Sequence, residues 1–414
     1  MFTPSDAKAA FCMTSREKRS SISLASIFAL RMLGLFVILP VFAVYARHLP
    51  GGDSEFLVGV TLGIYGLTQG ILQIPFGIAS DRLGRKPVIA AGLLIFAAGS
   101  FVAAASDSIW SIMLGRMLQG AGAISAAVTA FISDSVRDRV LTKAMAMVGA
   151  SIGLTFALSL IISPLLAEAV GVSGIFGLTG ILALAAVWVI WKVVPDAPSQ
   201  VPSDLPEEAV HKPWQQILTD PQLLRLNIGI FSLHAALTAI FVVMPTRLAS
   251  LGLPAAHHWW IYLPAVLVGF ALMAPPIAWG ERRGRTVAVV RAAVLLLAVV
   301  FLLLALFLNN LWEAAILLAL FFVGFNVLEA TLPGLISREA PKADKGLALG
   351  IYNTTQNIGL FIGGAAGGWI AQHWGSNAVF AAALLVMLLW FASAAGLKEP
   401  PRPRREPGSA LQLS

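Results

Sequence analysis

The chain holds a single cysteine, Cys12, in 414 residues. That excludes an intrachain disulfide framework and any multi-cysteine metal site. Charge is scarce too: Asp, Glu, Lys and Arg supply 12% of the residues, about half the share of a soluble globule. No Gly-x4-Gly-Lys-Ser/Thr phosphate loop and no Gly-x-Ser-x-Gly elbow occurs, so neither ATP-driven nor serine-hydrolase chemistry has a basis here. The sequence gives no ground for an enzyme, a metal or a cofactor.

What is present is apolar length. Hydrophobic residues make up 58% of the chain and mean hydropathy is +0.83. A bilayer core needs about 20 apolar residues per helix. Twelve such runs fit: 22–46, 56–80, 87–106, 109–132, 141–167 and 173–194, then 221–246, 258–279, 287–308, 311–335, 346–370 and 376–397. They are too long for transmembrane strands and lack period-two alternation. The expectation is an all-α polytopic membrane protein with twelve transmembrane helices. A basic stretch at 16–19 precedes the first run. At about 25 residues that run exceeds a signal-peptide core, so it reads as a retained helix.

Of 28 lysines and arginines, only Arg31, Arg47, Arg116 and Arg247 lie outside the N-terminal tail, the even-numbered loops, the central linker and the C-terminal tail. The opposite loops hold Asp53, Glu55, Asp107 and Glu313. By the positive-inside rule both termini are expected in the cytoplasm. The net charge of +7 follows from this topology and calls for no nucleic acid. Five segments result: a tail 1–21, six helices 22–194, a proline-rich linker 195–220, six helices 221–397, and a tail 398–414. The linker is expected to be extended with a short surface helix near Trp214. The polar C-terminal tail is expected to be disordered, its basic residues against anionic lipid.

The halves are related. Gly77-Ile-Ala-Ser-Asp81-Arg82-Leu-Gly84-Arg85-Lys86-Pro87 recurs 200 residues later as Ala278-Trp-Gly-Glu281-Arg282-Arg283-Gly284-Arg285-Thr286. Each copy sits between two long apolar runs. This repeat, with the first motif after helix two, resembles the major facilitator superfamily. Arg116-x2-Gln119-Gly120-x-Gly122 in helix four resembles a motif of its proton-coupled antiporters. The wording Phe325-Asn326-Val-Leu-Glu329-Ala-Thr-Leu-Pro333 is similar to the YajR-like inner-membrane branch of its drug-efflux group. The resemblance covers about 20–397. It implies two pseudo-symmetric six-helix bundles in a bacterial inner membrane, a central small-molecule pathway within each chain, and hence a monomer.

One departure stands. The antiporter motif of helix five ends Gly-Pro followed by a glycine pair, whereas this chain has Gly149-x3-Gly153 and then Ser163-Pro164. Glycines concentrate in helix eleven instead, at 359, 363, 364, 367 and 368, a spacing that suits close helix contact, whether sliding or static. Antiport is weakened by this, and uptake by a facilitator or proton symporter stays open. A non-transporting sensor is a third reading, although no signalling domain accompanies the helices.

The charged turns suggest a conformational latch. Asp81 ends helix two, and its carboxylate suits the N-terminus of helix eleven near Lys345-Gly346. Arg85 suits Asp134 at the end of helix four, and Gly84 permits the tight turn. Gly77, Arg82, Glu281 and Arg285 complete the two copies. The competing reading of the basic members is topology-setting charge alone.

Few ionisable groups lie deep in the apolar runs: Arg31, Arg116, His234 and Glu329. Burying such a charge costs about 2.5–3.5 kcal/mol on insertion scales, and it usually faces a cavity. Glu329 is the only carboxylate well inside a span. It is the candidate proton carrier, with His234 as partner on another helix that the resemblance places around the pathway, and with Arg116 and Arg31 as further coupling residues, Arg116 by lowering the proton affinity of an acid that approaches it. The competing readings are a fixed salt bridge from Glu329 to Arg31 and a structural histidine. Gln69, Gln73, Gln119, Asn227, Asn326, Asn353, Gln356 and Asn357 are candidate cavity amides, or else bonds between helices. Phe36, Tyr65, Phe156 and Phe241 suit a hydrophobic or amphipathic substrate. The reading is proton-coupled export of such compounds by alternating access.

Overall fold

A computed structural model describes residues 13–196, 214–341 and 344–399. Most of the linker, the C-terminal tail beyond 399 and Cys12 lie outside the described residues. Fourteen α-helices and one 3-10 turn follow in order, with no strand among the described residues. They are α1 Ser15–Phe36, α2 Leu39–Ala46, α3 Glu55–Leu83, α4 Arg85–Ala104, α5 Ile109–Ala121, α6 Ser125–Ser135, α7 Asp138–Lys192, α8 Trp214–Thr219, α9 Pro221–Ser250, α10 Trp259–Arg283, α11 Thr286–Phe307, α12 Leu311–Glu339, α13 Lys345–Trp374 and α14 Ser376–Ala394.

Twelve crossings emerge once the local breaks are understood. The first crossing is α1 plus α2, because Pro40 has no N–H to continue the ladder. One residue on, Val41 turns its N–H to the Ile38 carbonyl at 3.3 Å, and the Val37 carbonyl it passes over accepts the Ser163 hydroxyl, which gives the Ser163-Pro164 pair a structural task. The fourth is α5 plus α6, interrupted at Gly122. A Cβ at Gly120 would stand 2.2 Å from the Tyr65 carbonyl oxygen, and one at Gly122 2.4 Å from that of Gly92. The long α7 is two crossings joined at Gly171, whose φ of 70° and ψ of 170° reverse the chain. Among the described residues nine segments are apolar and long enough to cross by composition alone. The broken α5–α6 and the glycine- and amide-diluted α13 fall short on that measure, but their place in the bundle matches that of their neighbours.

The helix ends alternate between a basic end, with the turns at Gly84 and Gly284, and an opposite end, with the turns at Gly51 and Gly375. In the first half α1 packs on α7, α4 on α5 and α7, and α3 on α5. In the second, α9 packs on α13, α10 on α12, and α11 on α14. The halves meet chiefly through α3 and α13. Gly59 backs onto the Gly364 carbonyl, Gly63 onto Phe361, Gly66 onto Asn357, and Gly368 onto the Glu55 carbonyl. Gln372 Oε1 accepts from Ser54 Oγ at 2.8 Å and from the Phe56 N–H at 3.2 Å. The glycines of α13 therefore serve two neighbours: 364 and 368 face α3, while 359, 363 and 367 face Phe231, Ala235 and Ala239 of α9. Toward the basic end this seam opens. Among the described residues no atom of a neighbouring helix lies within 4 Å of a Cβ position on Gly346 or Gly350.

Candidate functional site

The second half brings three of the candidate residues together. His234 of α9 turns Nδ1 to the Ile230 carbonyl at 3.2 Å. A carbonyl only accepts, so Nδ1 carries the proton and Nε2 presents a lone pair. Gln356 of α13 donates its amide to that lone pair at 2.6 Å. On the other side of His234 stands Glu329 of α12, with Oε2 at 3.8 Å from Nε2, too long for a hydrogen bond. Glu329 Oε2, Asn326 Nδ2 and Tyr352 Oη are shielded atoms without a hydrogen-bond partner. The site thus sets a carboxylate beside an imidazole, with unsatisfied polar atoms on α12 and α13.

An aromatic layer lies about one helical turn farther from the basic end. Phe156 of α7 meets Phe36 at 4.9 Å between ring centroids, and reaches across to Phe322 at 5.9 Å and Phe325 at 5.7 Å. It joins the halves and separates Glu329 from the opposite end.

The first half gathers the arginines. Arg116 Nη1 donates to the Gly34 carbonyl at 3.1 Å and to Gln119 Oε1 at 3.0 Å, and Nη2 to the Leu62 carbonyl at 3.5 Å. Gln119 in turn donates to Ser100 at 2.8 Å. Arg31 bonds Ser125 Oγ. Both guanidiniums stand over the Tyr65 ring, Arg116 at 4.8 Å and Arg31 at 5.8 Å, a pairing that helix numbering alone does not reveal. Neither arginine pairs with Glu329 or any other acid among the described ion pairs.

The remaining amides divide. Gln69 and Gln73 share the Tyr65 face of α3 and leave their Oε1 atoms unpartnered, as does Asn227 with Oδ1. Asn353 is half-buried and its carbonyl accepts from Asn357 Nδ2 at 2.9 Å. Asn357 itself lies in the α3–α13 seam, against Gly66 and Gly70.

At the basic end Arg85 gathers its own turn. Nε donates to Asp134 Oδ2 at 2.7 Å and Nη1 to Ser80 Oγ at 2.7 Å, with Asp81 on the same nitrogen. Among the described residues Asp81 has this partner and none on α13. Gly84 takes φ of 93° and Gly284 of 64°, a region that only glycine enters freely. Gly77 makes an ordinary contact with Ala126, Arg82 is exposed, and Glu281 reaches Arg338 at 4.0 Å. Arg285 caps the start of α11 without a side-chain cap bond.

A further pair escapes sequence reasoning. Glu17 caps α1 through the Thr14 N–H at 2.7 Å and takes the Arg137 guanidinium on both oxygens, at 2.8 and 3.0 Å. Arg137 beside it holds the Glu17 carboxyl down at about 2. No motif announces a contact 120 residues apart; only the capping box Thr14-x2-Glu17 is visible in advance.

The sequence profile of the Major Facilitator Superfamily matches residues 24–278 and 258–413. The Escherichia coli (strain K12) inner membrane transport protein YajR is 44% identical over 391 residues, which cover 94% of this chain and 85% of that one. The multidrug resistance protein MdtH of Cronobacter sakazakii is 26% identical over 381 residues, 87% of this chain and 90% of that one. Among solved structures the human organic anion transporter MFSD10 superposes with a TM-score of 0.67 at 18% identity, over 92% of this chain and all of that one. With this profile match and this full-length likeness, the chain belongs to the Major Facilitator Superfamily, a polytopic transporter of small molecules rather than an enzyme.

Proposed function

We propose that the protein couples inward proton movement to export of small hydrophobic or amphipathic compounds by alternating access. The observation that carries this is Glu329, the carboxylate deep within the spans, with a shielded, unpartnered Oε2 and an imidazole 3.8 Å away. A carboxylate so placed binds and releases a proton as its access changes side. The names of YajR and MdtH support a bacterial inner membrane and an efflux role. The basic ends are read as cytoplasmic, so the parted seam makes this an inward-facing arrangement. In the outward-facing one, Asp81 leaves Arg85 for the N-terminus of α13. Each chain holds a whole pathway, which suits a monomer in contact with lipid.

Uptake by symport is the second reading, favoured by the engagement of Ser163 with the α1–α2 break where antiporters place glycines. Proteoliposomes separate the two. With a proton gradient imposed, a panel of lipophilic cations, carboxylic acids and sugars is screened for solute-driven proton flux. Solute leaving against entering protons supports export, solute and proton moving together supports symport, and solute flux without protons contradicts both.

A further inference from the structure

Two of the coupling candidates have no acid to act on among the described ion pairs. Arg31 and Arg116 are completely buried, in spans where an uncompensated charge is costly, and they flank one ring, so each raises the cost of the other. Arg116 has three acceptors for its terminal nitrogens, which accounts for it as a brace between α1, α3 and α5. Arg31 is different. Ser125 is its hydrogen-bond partner, and among the described residues its Nε and Nη2 have none, nor has Arg116 Nε. A helix brace does not require a second guanidinium with idle donors. Two such groups without a carboxylate form an incomplete site whose missing member is an anion.

The surroundings fit that member. Tyr65, whose ring both guanidiniums stand over, has its Oη buried without a partner among the described residues, and that hydroxyl can donate to an oxyanion. Tyr65, Gln69 and Gln73 follow at four-residue intervals on one face of α3. They run toward the basic end, where α3 and α13 part. A polar track therefore leads from the open side to the arginines, while Phe36 and Phe156 offer an apolar surface nearby.

We propose that Arg31 and Arg116 bind the acidic group of the transported compound, which makes the substrates amphipathic organic anions such as carboxylates or phosphate monoesters. Planar guanidinium forks match both groups with paired, charge-assisted bonds. The inference rests on the transporter reading of this chain but not on Glu329 or the direction of proton movement.

The test is calorimetric titration of the full-length protein in neutral detergent with three probes of one shape: 2-naphthylacetate, 2-naphthylethanol and 2-(2-naphthyl)ethylammonium. The acetate should bind at least tenfold more tightly than the other two. Arg31→Gln should abolish that preference, and Arg31→Lys should restore part of it. The proposal is overturned if the alcohol or the ammonium binds wild type as tightly as the acetate, if none of the three binds, or if Arg31→Gln, eluting as a folded monodisperse protein, keeps the preference. The wild-type comparison decides the matter even if the variants do not fold. An anion preference without any solute flux in proteoliposomes would leave the subsite standing and remove the transporter reading.

Discussion

Gln356 donates its amide to Nε2 of His234 at 2.6 Å, and so ties α13, the helix that packs on both halves, to the imidazole beside Glu329. A proton placed on Nε2 abolishes the lone pair that accepts this bond. On the proposed coupling, such a proton would break this tie to the helix whose glycines form the seam, with Glu329 3.8 Å away as the new acceptor.

Removing the tie should uncouple these events. Gln356→Leu is expected to lower proton-driven transport about tenfold, equivalent to about 1.4 kcal/mol, with unfolding temperature little changed. Initial rates in proteoliposomes, beside Gln356→Asn, check this. Unaltered rates would make the bond incidental.

The closed end of the seam depends on bare backbone. A Cβ on Gly364 would stand 2.3 Å from the Gly59 carbonyl oxygen, closer than any side chain is tolerated. Gly364→Val should therefore disfavour closure at the end opposite the basic turns. A cysteine at Thr246, which lines a cavity of about 170 Å³ there with Arg47 and Glu55, should be alkylated severalfold faster in the variant, with Cys12 replaced in both.

Acid should loosen the basic end. Glu17 has a folded-state pKa of about 2 against an ordinary value of 4.5. Its contribution is therefore complete above pH 4.5 and is lost as pH falls from there toward 2. Allowing for solvent screening, Glu17→Gln should cost about 1–2 kcal/mol at pH 7. Thermal unfolding at pH 7 and pH 3 checks this: the variant should be less stable than wild type at pH 7, and the gap should narrow at pH 3.

The sequence carried much of this architecture because membrane burial leaves coarse marks: run length, basic-loop bias and the 200-residue repeat Asp81/Glu281. It also carried the deep ionisable residues, since Glu329 and Arg31 stand out in apolar runs. It set His234 beside Glu329, but it did not carry the partners of the arginines or the amide on His234. Tyr65 reads as an ordinary aromatic until α1 and α5 bring two guanidiniums over it. Gln356 reads as one cavity amide among several until α13 lies against α9. The α3 glycines at 59, 63, 66 and 70 are as regular as those of α13, but their importance shows only when the two rows are seen facing each other. Asp81 illustrates a different limit: the sequence suggests the start of α13 as its partner, and the structure has Arg85 there instead.

The most direct test of the central claim compares wild type with Glu329→Gln for one transported compound, measuring net transport driven by a pH gradient and solute–solute exchange without one. The account predicts that the variant retains exchange while its proton-driven net transport falls to background. Proton-driven net transport at the wild-type rate in Glu329→Gln would contradict it and leave Glu329 a structural charge.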